Sequence, residues 1–273
     1  MRLIKLTVFL LIAFSISACK KDSPATDLPR LKSLTSVGAN SLGKTEFYYN
    51  SDGRLFQTRH SMNGNEDCFT EYYYQSGKVE TAKTFLVVFG VAPKLRAETD
   101  FKYTGGKLVS VEIKTLDDSS APNGGVNYNF DYADGEIPAA NVTYPKPIIP
   151  SIYQDSLRSS NYSSITFIEY PTNSNPAQIP MRDCEFDNKL NPLYNQPFLS
   201  AFLFTFGETE LFSVSFNPQS FFFKNNVTKT KTIGSGIHTT EYTYNQLGLP
   251  VSSVWRTEVP VSLQSETLYE YSE

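Results

Sequence analysis

A chain that repeats one short unit along its length folds by pairing or stacking copies of that unit. In these 273 residues the unit is an alternating aromatic segment followed by a turn. It appears as EFYYNSDGRL at 46–55, EYYYQSGKV at 71–79, DFKYTGGKL at 100–108 and NFDYADGEI at 129–137. CEFDNKLNPLY at 184–194, EYTYNQLGLPV at 241–251 and a half-unit, YEYSE, at 269–273 follow. The aromatic before each turn falls at Tyr49, Tyr74, Tyr103, Tyr132, Phe186, Tyr244 and Tyr271, giving spacings of 25, 29, 29, 54, 58 and 27 residues. The two long gaps are near twice the period, and FSVSFNPQS at 212–220, with Phe216, divides the second into 30 and 28. A repeat of about 28 residues accounts for the chain from residue 45 onward.

Each unit carries strand chemistry. Val126, Tyr128, Phe130 and Tyr132 alternate with Asn127, Asn129 and Asp131, and Phe212, Val214 and Phe216 alternate with serines. Period-two alternation rich in aromatic and β-branched residues marks half-buried antiparallel strands. The turns NSDG, YTGG, YADG and NQLG place glycine where a hairpin needs positive φ. No helical period persists between residues 45 and 140. The expected fold is all-β: a long antiparallel meander of repeated hairpins, as a curled or barrel-like sheet. Two stretches interrupt it. Residues 143–164 hold a proline cluster unsuited to central strands, and 191–212 is aromatic-dense with room for one short helix. These read as insertions over one end of the sheet, where loops on a rigid scaffold tend to carry binding groups.

The first residues give an address. Arg2 and Lys5 precede an apolar run from Leu6 to Ile16, which is too short to span a bilayer as a helix. The run ends in Ile16-Ser17-Ala18-Cys19, which resembles a bacterial lipobox. That resemblance implies cleavage before Cys19 and lipid attachment to it. The chain then divides into a signal peptide at 1–18, a flexible tether at 19–32 and a single β-repeat domain at 33–273. No Asp follows Cys19, so the inner-membrane retention signal is missing, and Lys20-Lys21-Asp22 resembles the export tether of Bacteroidota lipoproteins. The expected place is the outer membrane, on its periplasmic or surface side. Loss of residues 1–18 removes Arg2 and Lys5 and takes the formal charge from −4 to −6. That balance argues against nucleic-acid partners and against electrostatic docking on anionic lipid, leaving the lipid as the membrane contact.

Little in the chain marks catalysis. Two histidines cannot build a multi-His metal site without carboxylate help. His60 and His238 lack a nucleophile motif nearby, and both read as exposed or satisfied side chains. Asn63, Asn65, Asp67 and Glu71 faintly resemble a calcium loop, but Cys68 and Tyr74 stand where that loop needs Gly and Glu. A polar hairpin loop is the better reading, and no cofactor or metal site is expected. In an oxidising compartment Cys68 and Cys184 have two outcomes, a disulfide or two buried thiols, with the thiols preferred. Phe221, Phe222 and Phe223 break alternation, which forces one ring toward the polar side. This leaves an exposed aromatic patch or, preferentially, loop packing. Asp155-Ser156-Leu157 resembles the O-glycosylation motif of Bacteroidota envelope proteins, which would modify Ser156.

The unit itself, aromatic-x-Tyr-Asp/Asn-x-x-Gly-x-hydrophobic, resembles the YD-type repeats of RHS-like surface proteins. With the lipobox, the KKD tether, DNKLNPLYN at 187–195 and KNNVTKT at 224–230, the chain resembles Bacteroidota lipoproteins of unknown function with a porin-like β fold. The resemblance implies architecture and assigns no catalytic residue. The expected role is a non-enzymatic binding or structural scaffold, anchored by lipid, with a glycan or envelope protein as partner. Alternatives are a surface glycan hydrolase using carboxylates at the open end of the sheet, and a transmembrane β-barrel.

Overall fold

A computed structural model describes residues 29–38, 42–116, 125–132, 139–143, 153–161, 164–168, 181–194, 223–232, 236–257 and 264–272. These residues form sixteen strands and no helix. In chain order they are β1 Leu31–Val37, β2 Leu42–Tyr49, β3 Leu55–Met62, β4 Asn65–Gln75, β5 Lys78–Leu86, β6 Lys94–Thr104, β7 Lys107–Thr115 and β8 Gly125–Asp131. There follow β9 Ala139–Thr143, β10 Tyr153–Asn161, β11 Ser164–Ile168, β12 Met181–Leu190, β13 Asn225–Thr232, β14 Gly236–Tyr244, β15 Pro250–Thr257 and β16 Gln264–Tyr271. Every strand pairs antiparallel with its sequence neighbours, and β1 lies beside β16, so the strand order closes on itself. The expected all-β meander is the observed fold. One compact unit covers Leu31–Glu270. A second, small unit comprises Met1–Arg30 with Tyr271–Glu273, within which the Ser272 amide donates to the Arg30 carbonyl at 2.8 Å. Of the inserted 191–212 stretch, only Asn191–Tyr194 are described, and they form a turn rather than a helix.

The repeat has a physical basis at one end of the strands. Tyr49, Tyr74, Tyr103, Tyr132, Tyr244 and Tyr271 each stand at or beside the end of an even-numbered strand. Phe186 differs, because β12 continues four residues beyond it to Leu190. The Tyr49 hydroxyl donates to the Leu31 carbonyl at 2.9 Å, and the Tyr74 hydroxyl donates to the Leu55 carbonyl at 2.8 Å. Each tyrosine thereby ties its strand end to the first residue of the strand before it. After the turn glycine comes a cation and then a buried aliphatic residue: Arg54-Leu55, Lys78-Val79 and Lys107-Leu108. The cation lies over the tyrosine of the next unit, Arg54 over Tyr74, Lys78 over Tyr103 and Lys107 over Tyr132, at 4.7–5.2 Å from the ring centroid. Directly after the aliphatic residue the ladder bulges, at Phe56, Glu80 and Val109, and β15 bulges likewise at Val251, after Pro250. Such bulges add local twist, which favours a sheet that coils.

From β2 to β7 the two faces of the sheet differ sharply. The buried face carries rows of buried side chains across the strands, Thr58, Thr70, Thr84 and Ala97 in one row and Tyr72, Ala82, Thr99 and Ile113, large at its ends, in the next. Four of the buried hydroxyls bond in pairs, Thr70 with Thr84 at 2.9 Å and Thr58 with Tyr72 at 3.1 Å, which offsets their desolvation. The opposite face carries charge in pairs, among them Arg59–Glu66, Lys83–Glu98 and Lys114–Asp100.

Candidate functional site at the β3–β4 hairpin

At the end of the strands away from the tyrosines, β3 turns into β4 through Asn63 and Gly64, with φ of 51° and 83°. Two successive positive φ angles define a two-residue hairpin whose twist matches that of its strands. The Asn63 amide donates to the Leu42 carbonyl at 2.7 Å, and Asn63 Oδ1 accepts from the Leu42 amide at 3.0 Å, fixing the turn against β2.

Just inside this turn the register slips. His60 stands opposite Cys68 and Ser61 opposite Glu66, so Asp67 is an extra residue in β4. The bulge turns the Asp67 side chain out of alternation and toward β3. Its carboxylate accepts a hydrogen bond from His60 Nδ1 at 2.7 Å. Because an ionised carboxylate only accepts, the proton sits on Nδ1. His60 and Cys68 are almost wholly buried, whereas the Asp67 side chain keeps 27% exposure. One His nitrogen, one Asp oxygen and the Cys68 sulfur all lie within 4.8 Å of one another. Burial, with Asp67 beside it, pushes the Cys68 thiol well above its ordinary range, so the thiol keeps its proton. On the other side of the imidazole, a Cβ at Gly43 would sit 3.5 Å from His60 Nε2 and 3.4 Å from Met62 Sδ. The cluster is thus held by three neighbouring strands and reached from solvent through Asp67.

In the sequence His60 reads as an exposed or satisfied side chain, Asp67 as part of a polar loop and Cys68 as a thiol or half of a disulfide. The structure brings the three together. The signal available beforehand was the segment NGNEDC itself: a two-residue turn with a carboxylate and a thiol three and four residues past its glycine. Alternation assigns that carboxylate to the solvent face, and only the bulge reverses the assignment.

The remaining candidate residues are dispersed. Cys68 and Cys184 are both unbridged thiols, so the disulfide alternative is set aside. Their strands explain this, since Cys68 is flanked by His60 and Leu86 on β3 and β5, and Cys184 by Ile165 and Thr230 on β11 and β13. Phe223 does not contribute to an exposed aromatic patch. At 2% exposure it is packed with Cys184, Phe186 and Val227, its ring edge-on to Phe186 at 5.0 Å. Phe221, Phe222 and Cys19 lie outside the described residues. Ser156 lies on β10 opposite Ile168. His238 is stacked on Trp255 at 5.0 Å, with Nδ1 3.3 Å from the Thr257 hydroxyl.

A second polar cluster joins β12, β13 and β14. Asp187 accepts from the Tyr244 hydroxyl, from the Asn226 amide at 3.1 Å and from the Lys189 amide at 2.9 Å. Burial, and the bond to Asp187, raise the Tyr244 hydroxyl above its ordinary range. Here every group is engaged in holding strands together, which gives the cluster a structural role.

No family model and no curated protein matches the chain. Among solved structures it is similar to a porin-like protein of Bacteroides uniformis, at 12% identity and a TM-score of 0.56, over 89% of this chain and 96% of that one. A porin-like protein of Bacteroides vulgatus aligns at 10% identity and a TM-score of 0.42, over 90% of this chain and 99% of that one. At such identity the first likeness is one of fold.

Proposed function

We propose that the chain is a lipid-anchored envelope protein of the outer membrane, held through Cys19, whose β meander serves as a water-facing, non-enzymatic scaffold for a protein partner. The observation that carries this reading is the polarity of the sheet. A membrane-spanning barrel turns an apolar band outward and lines its lumen with polar groups. From β2 to β7 the polarity is the reverse, with ion pairs on the exposed face and Ala82, Ala97, Thr84 and Thr99 at 0% exposure on the other. Lys83, in the middle of β5, would cost roughly 2–4 kcal/mol at a bilayer midplane.

A protein is favoured over a glycan by the end that carries the β3–β4 hairpin. Val37, Leu42, Val88, Phe89, Val91 and Leu116 are all exposed there, with Phe89 standing fully clear of the protein. Aliphatic side chains gain from dehydration by another protein but offer a sugar no hydrogen bonds. The test is the chain from Lys20 onward, made without its signal segment. It is expected to be monodisperse in detergent-free buffer and to form crosslinks to an envelope protein from a photoreactive residue at Phe89. A requirement for detergent would return the reading to a membrane barrel, and hydrolysis of an added glycan would replace the scaffold with an enzyme.

A further inference from the structure

We propose that His60, Asp67 and Cys68 form a binding site for a divalent transition-metal ion of the zinc type. The donor set is one imidazole nitrogen, one carboxylate oxygen and one sulfur. That mixture suits zinc and its neighbours, and it disfavours calcium or magnesium, which take oxygen alone. The three atoms already lie within 4.8 Å of one another. Around a tetrahedral zinc, ligand atoms sit about 3.3–3.6 Å apart. The His60–Asp67 contact of 2.7 Å would therefore open by roughly half an ångström. Backbone pairing holds the site in place: His60 and Cys68 are directly opposite on adjacent strands, and Asp67 is fixed by its bulge and by the Val87 amide on its carbonyl at 2.8 Å. Asp67, at 27% exposure, is the entry side, and three protein ligands leave a fourth position for water.

The binding step balances without any oxidant. The Cys68 thiol gives its proton to solvent as the metal–sulfur bond forms. The Nδ1 proton of His60 moves through solvent to Nε2, so that a neutral imidazole ligates through Nδ1. Asp67 exchanges its hydrogen bond from His60 for a bond to the metal. One proton is released per ion bound.

The plain alternative is a carboxylate–histidine pair that merely satisfies a buried ring. Titrating the full chain, purified in detergent micelles under reducing conditions, with Co²⁺ and then Zn²⁺ separates the two. The proposal expects one Co²⁺ per chain, a near-ultraviolet thiolate-to-cobalt charge-transfer band, and displacement of that band by Zn²⁺. Cys68→Ser abolishes the band, whereas Cys184→Ser keeps it. Asp67→Asn preserves side-chain size and can still accept from His60, so it serves if Cys68→Ser does not fold. Its expected effect is at least about 100-fold weaker binding, the upper end of what losing even an outer-shell partner costs. Absence of the band in the wild-type chain, or binding that survives both Asp67→Asn and Cys68→Ser, would overturn the site.

Discussion

Both ends of the meander turn through glycines at positive φ, yet they are finished differently. At one end, tyrosine hydroxyls cap strand-start carbonyls and cations cover the tyrosine rings, so each unit is tied to the next by polar contacts. At the other end the turn of β3–β4 is followed by a cluster of buried His60 and Cys68 with half-buried Asp67, and the nearby tips display Val88, Phe89 and Val91 to water. The first arrangement is repeated from unit to unit and the second occurs once among the described residues. Repetition marks what the fold requires of every hairpin; departure from it marks where a particular hairpin has been given something else to do.

The largest test of this contrast is alkaline pH. Burial holds Tyr103 and Tyr132 up at about 12, above their ordinary value near 10. The unfolded chain ionises these groups first, so the stability they contribute is complete below pH 10 and lost as pH rises toward 12. Ultraviolet absorbance should show tyrosinate appearing together with loss of β circular dichroism. Ionisation near pH 10 with the fold intact would mean that the tyrosine end is not a buried seam. Next in size is Leu55→Ala. The side chain is 3% exposed, and its truncation should cost about 2–5 kcal/mol in urea unfolding. A loss below half of that range would show that the aliphatic position after the turn is not a core position.

At the other end, Gly64→Ala forces a Cβ onto a residue at φ +83° with open space around it. The penalty is conformational alone, about 1 kcal/mol, and a neutral result would show that this hairpin relaxes freely. Tyr74→Phe should cost a similar or smaller amount, about 1 kcal/mol, by removing one hydroxyl from the Leu55 carbonyl. The smallest change expected is Lys83→Gln. It breaks an exposed pair with Glu98 and should shift the unfolding midpoint by the equivalent of less than about 0.5 kcal/mol. A large loss there would mean the charged face is covered by something in the native state.

The tyrosine end was legible in the sequence because its rules are local. Tyr49, Tyr74 and Tyr103 recur three or four residues before a turn glycine, Gly53, Gly77 and Gly106, and the residue two past each of these is aliphatic. What could not be read was which side chains meet across neighbouring strands. Nothing in Lys78 announces that it will lie over Tyr103, because the two meet only after β5 and β6 pair. Asp67 reads as part of a polar hairpin loop, and its contact with His60 escapes that reading for a related reason: a bulge is a property of the register between two strands, and period-two reading of one strand cannot detect it. Phe223 was set within an aromatic run, but a ring's exposure depends on what packs there, in this case Cys184 and Phe186. Placing Cys68 and Cys184 required knowing which of sixteen strands lie side by side.

The strand order also carries a kinetic consequence. Nearly every pairing joins strands adjacent in sequence, as in the 14 residues between Thr70 and Thr84. The exception is the seam of β1 with β16, where the Ser33 hydroxyl meets Glu270 across 237 residues. Local hairpins can zip one after another in either direction, each with a small loop-closure cost, whereas the seam must bring the two extremes of the chain together. Assembly should therefore proceed as a ribbon that lengthens quickly and is sealed last, with the unsealed ribbon exposing two unpaired strand edges until β1 finds β16.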